Sequence, residues 1–135
     1  MNEALLSRVP LFATLPEEEL KYVAAALRPL EVTPGTVLFE EGQRSKHVYF
    51  VLDGEVEVVK ALGTPDERVI GVRGPGEIIG EMGIIHPDGV RTASVRARTM
   101  CLLATATRAE SEVVLRRNPL LAFEVLRVMS ARLRE

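Results

Sequence analysis

The sequence predicts a mainly β domain with flanking helices, whose body is a sandwich or barrel of short strands. Between Leu30 and Ala106, short apolar runs alternate with turn-forming residues at a spacing typical of such folds. On either side of this region, apolar residues instead recur at helical spacing. We therefore expect one domain with a helical N-terminus (1–29), a β-barrel (30–106) and C-terminal helices (107–135).

The first predicted helix follows Pro16. Three glutamates come directly after this proline, and negative charge is favourable in the first turn of a helix. Apolar residues then repeat at helical spacing, namely Leu20, Val23, Ala24 and Leu27. The dipeptide Arg28-Pro29 should end the helix, because proline disfavours the helical conformation in the residue before it.

The barrel region is divided by glycine- and proline-containing turns: Pro34-Gly35, Glu41-Gly42, Asp53-Gly54, Gly63-Thr64-Pro65-Asp66, Gly74-Pro75-Gly76 and Asp88-Gly89. The clearest element is a predicted hairpin, in which Val48–Leu52 and Glu55–Val59 flank Asp53-Gly54. In its second strand the valines Val56 and Val58 should face one side and the glutamates the other.

Two helices are predicted after the barrel. Thr107 and Glu110 have the spacing of a capping box, and the helix that they open should stop near Asn118-Pro119. Apolar residues then continue at helical spacing to the end of the sequence. The stripe Leu120, Phe123, Leu126 is either core or a dimer interface, and we expect a homodimer through this C-terminal helix.

Composition excludes several function classes. The formal net charge of -2 and the pI of about 5.8 argue against a nucleic-acid surface on this chain. Cys101 is the sole cysteine, so the chain has no internal disulfide and no cysteine-ligated metal site. No apolar run approaches the ~20 residues of a membrane span, so we expect no membrane association and a cytoplasmic location.

An enzyme is not expected. The chain has two histidines, His47 and His86, and neither has a partner at metal-ligand spacing. A metal-dependent barrel enzyme needs clustered histidines, and a serine nucleophile needs a histidine base. We therefore predict no catalytic residues, no metal and no resident cofactor.

A candidate binding site lies at Glu81 and Arg91. Nearby glycines allow the backbone to approach a ligand closely: Gly76, Gly80 and Gly83. The run 81–85 is long enough for one helical turn with free N–H groups, and the Arg91 guanidinium suits two phosphate oxygens. A carboxylate would repel a phosphate, so we expect Glu81 to accept from a ribose hydroxyl while Arg91 partly neutralises it. The alternative is a structural ion pair between the two residues.

The chain has, in order, a predicted helix, strands, the segment GEIIGEMG, a ten-residue spacing to RTA and two further predicted helices. This order resembles that of the cyclic nucleotide-binding domain of cAMP receptor protein and FNR-like regulators. YFVLDGEVEV upstream adds to the resemblance, which extends over essentially the whole chain. The resemblance implies a double-stranded β-helix, or jelly-roll, barrel that binds a cyclic nucleotide.

The resemblance also implies roles for individual residues. Glu81, after Gly80, would accept the ribose 2′-hydroxyl, and Met82 and Gly83 would offer backbone N–H groups to the cyclic phosphate. Arg91 would pair with the exocyclic phosphate oxygens, with Thr92 beside it.

The resemblance implies a cAMP sensor that forms the effector-binding part of a transcription regulator. A threonine at position 92 also occurs in family members that prefer cGMP, so a cGMP-binding module is an alternative. A third reading is a barrel that has lost nucleotide binding and serves as a dimerisation or interaction scaffold. We expect the positions that contact the base to lie beyond Glu135, and DNA contact only through a following helix-turn-helix domain.

Overall fold

The computed structural model describes residues 1–81, 86 and 88–133, and the strands of this part form two antiparallel sheets. The strands are Arg28–Val32 (β1), Val37–Phe39 (β2), His47–Asp53 (β3), Val56–Lys60 (β4), Arg68–Arg73 (β5), Ile78–Ile79 (β6), Ser94–Ala97 (β7) and Cys101–Thr107 (β8). The first sheet has the order β1, β8, β3, β6 and the second the order β2, β7, β4, β5. This architecture confirms the predicted mainly β jelly-roll barrel.

Helices flank the barrel on both sides in sequence. They are Glu3–Leu6 (α1), Glu17–Ala26 (α2), Arg108–Arg117 (α3) and Pro119–Arg132 (α4), with a 3-10 turn at Pro10–Phe12. The second helix begins directly after Pro16, as the glutamates predicted. Helix α1 and the 3-10 turn were not predicted. No helix in the described part of the chain combines the length and apolarity that a membrane crossing requires.

Strand β3 is buried on both faces because it lies between two cores. Tyr49 and Val51 point into the barrel, where residues of both sheets pack together. Val48, Phe50 and Leu52 point the other way and pack against the helices. A strand covered on both sides reads as a continuous apolar run, which is how Val48–Leu52 stands out in the sequence.

The predicted hairpin around Asp53-Gly54 is wrong. Both strands exist, but β3 belongs to the first sheet and β4 to the second, so the turn carries the chain between sheets. Gly54 has a φ of 88° and packs against the Met100 carbonyl, which leaves no room for a side chain. Asp53-Gly54 therefore forms the predicted tight turn, but the two strands on either side of it do not pair with each other.

The capping box after the barrel is confirmed. The Glu110 N–H donates to Thr107 Oγ1 at 3.1 Å, and the Thr107 N–H donates to Glu110 Oε1 at 2.9 Å. Helix α3 ends at Arg117 and α4 begins at Pro119, as Asn118-Pro119 predicted. The cap fixes where the chain leaves β8, and so fixes the path that carries α4 back to the barrel.

Helix α4 packs with only part of its apolar surface. Leu121 and Val125 are buried, whereas Leu120, Phe123 and Leu126 are 79%, 52% and 50% exposed. The predicted stripe is therefore not core in the single chain. These three residues form an outward apolar face on α4.

Candidate functional site

The site begins where β6 ends. Ile78 and Ile79 are buried and pair with β3, which fixes the position of the two residues that follow. Gly80 has a φ of 84°, and a Cβ at this position would collide with the guanidinium of Arg91. Glycine is thus required at position 80 both for its backbone conformation and for the arginine beside it.

Arg91 is almost completely buried, with 5% of its surface exposed. Its Nη2 donates to the His47 carbonyl at 2.5 Å, and its Nη1 to the Gly80 carbonyl at 3.4 Å. The guanidinium also stacks on the Phe39 ring, 3.8 Å from the ring centre. Its Nε is buried and has no hydrogen-bond partner among the described residues. A buried cation in this state attracts an anion that can reach it.

Burial lowers the pKa of Arg91, while Tyr49 and Glu81 nearby act in the opposite direction. The guanidinium remains protonated at neutral pH because its ordinary pKa is so high. Burial also raises the pKa of Tyr49, and the positive charge of Arg91 partly offsets this. The site therefore presents a permanent positive charge.

Glu81 is also buried, with 6% of its surface exposed, but Arg91 is not its ion-pair partner. Its Oε2 lies 2.6 Å from Nη1 of Arg132, the last residue of α4. Arg132 Nη2 donates to the Ile78 carbonyl at 2.6 Å. The partial neutralisation of Glu81 that was expected from Arg91 acts only at longer range, and Arg132 supplies the close charge.

Sequence reasoning missed Arg132. The residue lay in a run read simply as a continuing helix, although a basic residue in the last turn of a helix is a usual feature. Only the return of α4 to the barrel brings it to Glu81. Phe39 and the carbonyl of His47 were missed for the same reason, since strand pairing decides which side chain and which backbone oxygen meet Arg91.

Thr92 is exposed beside Arg91. Its hydroxyl has no hydrogen-bond partner among the residues that the structure describes. Its carbonyl accepts from Lys60 Nζ at 2.6 Å, and the same ammonium pairs with Glu41 at 3.2 Å. Lys60 thus holds the backbone of Thr92 while leaving the hydroxyl available.

The predicted site residues Met82 and Gly83 lie outside the described part of the chain. Of the others, Gly80, Glu81, Arg91 and Thr92 all line one pocket of about 340 Å³.

The rest of this pocket is lined by both apolar and charged residues: Phe39, Val58, Lys60, Ile70, Arg73, Ile79, Ala93, Val95, Met129, Arg132 and Leu133. The described lining carries several cations but only one carboxylate, and Arg132 already pairs with that carboxylate. The pocket is therefore electropositive.

Helix α4 contributes to the pocket through Met129, Arg132 and Leu133. Met129 on α4 and Leu133 directly after it add apolar surface, while Lys60, Arg73 and Arg91 add positive charge from the barrel. Such a lining suits a ligand with an anionic group at one end and an aromatic or apolar group at the other.

Residues 29–118 match the family described as the cyclic nucleotide-binding domain. The chain is 33% identical over 105 residues to the cAMP-dependent protein kinase regulatory subunit of Schizosaccharomyces pombe, covering 78% of this chain and 24% of that protein. It is 30% identical over 126 residues to the cyclic AMP receptor protein of Thermus thermophilus, covering 93% of this chain and 58% of that protein. The chain thus spans between about a quarter and three fifths of these relatives.

A solved structure shows the same fold. The regulatory domain of Toxoplasma gondii PKA, crystallised with cAMP, superposes with a TM-score of 0.73 at 29% identity, covering 83% of this chain and 42% of that one. The two-sheet barrel and its flanking helices are therefore shared with a protein that holds a cyclic nucleotide.

Proposed function

We propose that this chain, which belongs to the cyclic nucleotide-binding domain family, is a sensor domain that binds cAMP reversibly and without chemical change. The observation that carries the proposal is Arg91, a buried guanidinium that lines the same pocket as the carboxylate of Glu81 and whose Nε has no partner among the described residues. The pocket volume of about 340 Å³ lies in the range of small-molecule sites. The names of both relatives refer to cAMP, which supports this ligand.

In this proposal each charged group has one task. The guanidinium of Arg91 donates to the exocyclic oxygens of the cyclic phosphate, which is a charge-assisted contact. Glu81 accepts from the ribose 2′-hydroxyl, and Arg132 keeps that carboxylate from repelling the phosphate. Gly80 gives the guanidinium its space, and we assign Met82 and Gly83 to backbone contacts with the phosphate.

Helix α4 links ligand binding to a response. Arg132 holds the carboxylate that would bind the sugar, so the position of α4 and the state of the pocket depend on each other. A ligand shifts such an equilibrium only by its different affinity for the two positions of the helix. The exposed face of α4 is where we expect a homodimer to form.

cGMP is a second candidate ligand. The observation in its favour is the Thr92 hydroxyl, which is exposed and without a partner among the described residues. A hydroxyl in this state can accept from the exocyclic amino group of guanine. The alternative of a scaffold that has lost nucleotide binding is less well supported, because Arg91 and Glu81 are both present and line one pocket.

We assign the sensor no catalytic role and a cytoplasmic location. The sequence predicts that this sensor is part of a transcription regulator, and this role stays a prediction. Reading the gene for a helix-turn-helix pattern after Glu135 tests it.

Isothermal titration calorimetry tests the proposed function. The wild type is titrated with cAMP and with cGMP, alongside Arg91→Ala and a control, Arg98→Ala, whose guanidinium is half exposed and outside the pocket. Loss of a charge-assisted contact worth about 3 kcal/mol should weaken binding about 100-fold in Arg91→Ala. The control should bind like the wild type.

Circular dichroism checks that both variants are folded. If the wild type binds neither nucleotide at millimolar concentration, the sensor proposal is wrong. If Arg91→Ala binds as tightly as the wild type, the phosphate lies elsewhere.

A further inference from the structure

Arg91 lines two cavities. The first is the pocket described above. The second, of about 370 Å³, is named the rear cleft and is lined by Leu38, Phe39, Gln43, Arg44, Lys46, His47, Tyr49 and Arg91. Among the described residues, this lining contains three permanent cations, a histidine and no carboxylate. The same buried guanidinium can therefore be approached by an anion from either cavity.

The other two cations of the rear cleft are unpaired. Within the described residues, Arg44 and Lys46 have neither an ion pair nor a side-chain hydrogen bond, and both are exposed. Nine other basic side chains in the described part of the chain, by contrast, lie within 4.0 Å of a carboxylate. The paired ones are Lys21, Arg28, Lys60, Arg96, Arg98, Arg108, Arg117, Arg127 and Arg132.

Backbone hydrogen bonds hold the wall of the rear cleft in place. The N–H of Arg91 donates to the Gln43 carbonyl at 2.8 Å, and the N–H of Gly42 donates to the Arg91 carbonyl at 2.9 Å. The N–H of Ser45 donates to the Gly89 carbonyl at 2.6 Å. The loop that carries Arg44 and Lys46 is thus fixed to the segment that carries Arg91, so the backbone on which the three cations stand is in place before any ligand arrives.

Arg91 also supplies a buried, unused donor. Its Nε is buried without a hydrogen-bond partner in the described part of the chain. The hydroxyl of Ser45, in the loop that carries Arg44 and Lys46, is also buried without a partner there. Buried polar groups are usually hydrogen-bonded, so a cavity lined by a residue that carries such a group is a candidate ligand site. Three permanent cations and no carboxylate in the described lining favour a dianion over a monoanion.

We propose that the rear cleft binds a small phosphate dianion, either inorganic phosphate or the phosphate group of a monoester, through Arg44, Lys46 and Arg91. An anion here engages the same guanidinium that the proposed function assigns to the nucleotide phosphate, so the two anions compete for one cation. Phosphate then opposes cyclic nucleotide binding, and by linkage the nucleotide opposes phosphate to the same degree. This opposition rests on the proposed function, whereas the phosphate site does not.

The first test is titration of isotopically labelled protein with inorganic phosphate, followed by the backbone amide signals in NMR spectra. We expect the amide signals of residues 43–47 to shift and saturate, with a dissociation constant on the order of 1 mM. The double variant Arg44→Ala/Lys46→Ala should bind phosphate at least about tenfold more weakly, because two of three charge-assisted contacts are lost. Glycerol phosphate is titrated in parallel, and tighter binding of the ester identifies a phosphorylated metabolite as the ligand.

The control is Arg8→Ala/Arg116→Ala. It removes the same charge from two exposed arginines that are unpaired among the described residues and lie outside the cleft. Its phosphate affinity should equal that of the wild type. If phosphate binding weakens equally in both double variants, the proposed site is wrong. It is also wrong if Arg44→Ala/Lys46→Ala binds phosphate with wild-type affinity and the amide signals that shift are those of Gly80 and Glu81.

The second test is calorimetry with cAMP in the presence of phosphate. Saturating phosphate should raise the apparent dissociation constant of cAMP at least about fivefold, which is the lower end of typical coupling between sites. Sodium chloride at equal ionic strength should not do so, and neither should phosphate with Arg44→Ala/Lys46→Ala. If phosphate occupies the cleft and leaves cAMP affinity unchanged, the opposition is refuted. If cAMP never binds, the proposed function fails and the NMR titration still decides the site.

Discussion

Glu81 and Arg132 form an ion pair between the start of the ligand pocket and the last turn of α4. The two charged atoms are 2.6 Å apart, and the side chains are only 8% and 14% exposed. Arg132 also donates to the Ile78 carbonyl, so it contacts both the strand and the carboxylate that follows it. The C-terminal helix is therefore held to the barrel by the group that we expect to bind the sugar.

Removal of Arg132 should destabilise the protein. In Arg132→Ala the Glu81 carboxylate stays buried without its close partner, and breaking a buried pair in this way costs about 3 kcal/mol or more. The free energy of unfolding, measured in urea, should fall by this amount. Arg127→Ala is the matched control on the same helix, since its pair with Glu124 is exposed and should contribute less than about 1 kcal/mol. Equal losses in the two variants would show that the Glu81 pair contributes no more than a surface pair.

Gly80→Ala should weaken nucleotide binding. The new methyl group would collide with the Arg91 guanidinium and displace it, and the positive φ adds strain of about 1–3 kcal/mol. Gly35→Ala separates these effects, because Gly35 has a φ of 86° but no atom within 4 Å of an added Cβ. Both variants should lose stability in urea unfolding, while only Gly80→Ala should lose cAMP affinity in calorimetry. An unchanged affinity in Gly80→Ala would argue that the present position of Arg91 is not the one that binds phosphate.

The exposed face of α4 should mediate self-association. Leu120, Phe123 and Leu126 expose adjacent apolar surface, which is costly in water unless a partner covers it. Analytical ultracentrifugation should show a dimer for the wild type and a shift toward monomer for Phe123→Ser. Val113→Ser makes a similar change at an exposed valine on α3 and should leave the dimer intact. A wild type that is monomeric at all concentrations would remove this face as an interface.

The capping box should make stability depend on pH in acid. The N–H of Thr107 donates to Glu110 and holds the pKa of its carboxyl below the ordinary 4.5, and Arg28 adds to this effect. A carboxyl whose pKa is lower in the folded state contributes stability above its unfolded pKa and loses that contribution as the pH falls through the folded value. The wild type should therefore be more stable than Glu110→Gln at neutral pH, with a difference that shrinks below about pH 4. A difference independent of pH would show that the titration of Glu110 is not its cause.

Local chemistry explains where prediction succeeded. The capping box at Thr107 and Glu110 and the helix break at Asn118-Pro119 depend on neighbouring residues, and the structure confirms both. The strand Val48–Leu52 was also correctly identified, because burial on both faces produces a continuous apolar run. The pairing of that strand was predicted wrongly, since a tight turn has the same local signature whether the chain folds back in one sheet or passes to another.

The sequence by itself determined the mainly β fold with its flanking helices, the family resemblance, and the choice of Glu81 and Arg91 as site residues. The tertiary structure alone decided their partners. Arg132 reaches Glu81 because α4 returns to the barrel, and Arg91 meets the His47 carbonyl and the Phe39 ring because the strands place them there. A local pattern reports propensity and burial within a few residues. Contacts between residues far apart in the chain depend on how whole elements pack, which no single motif records.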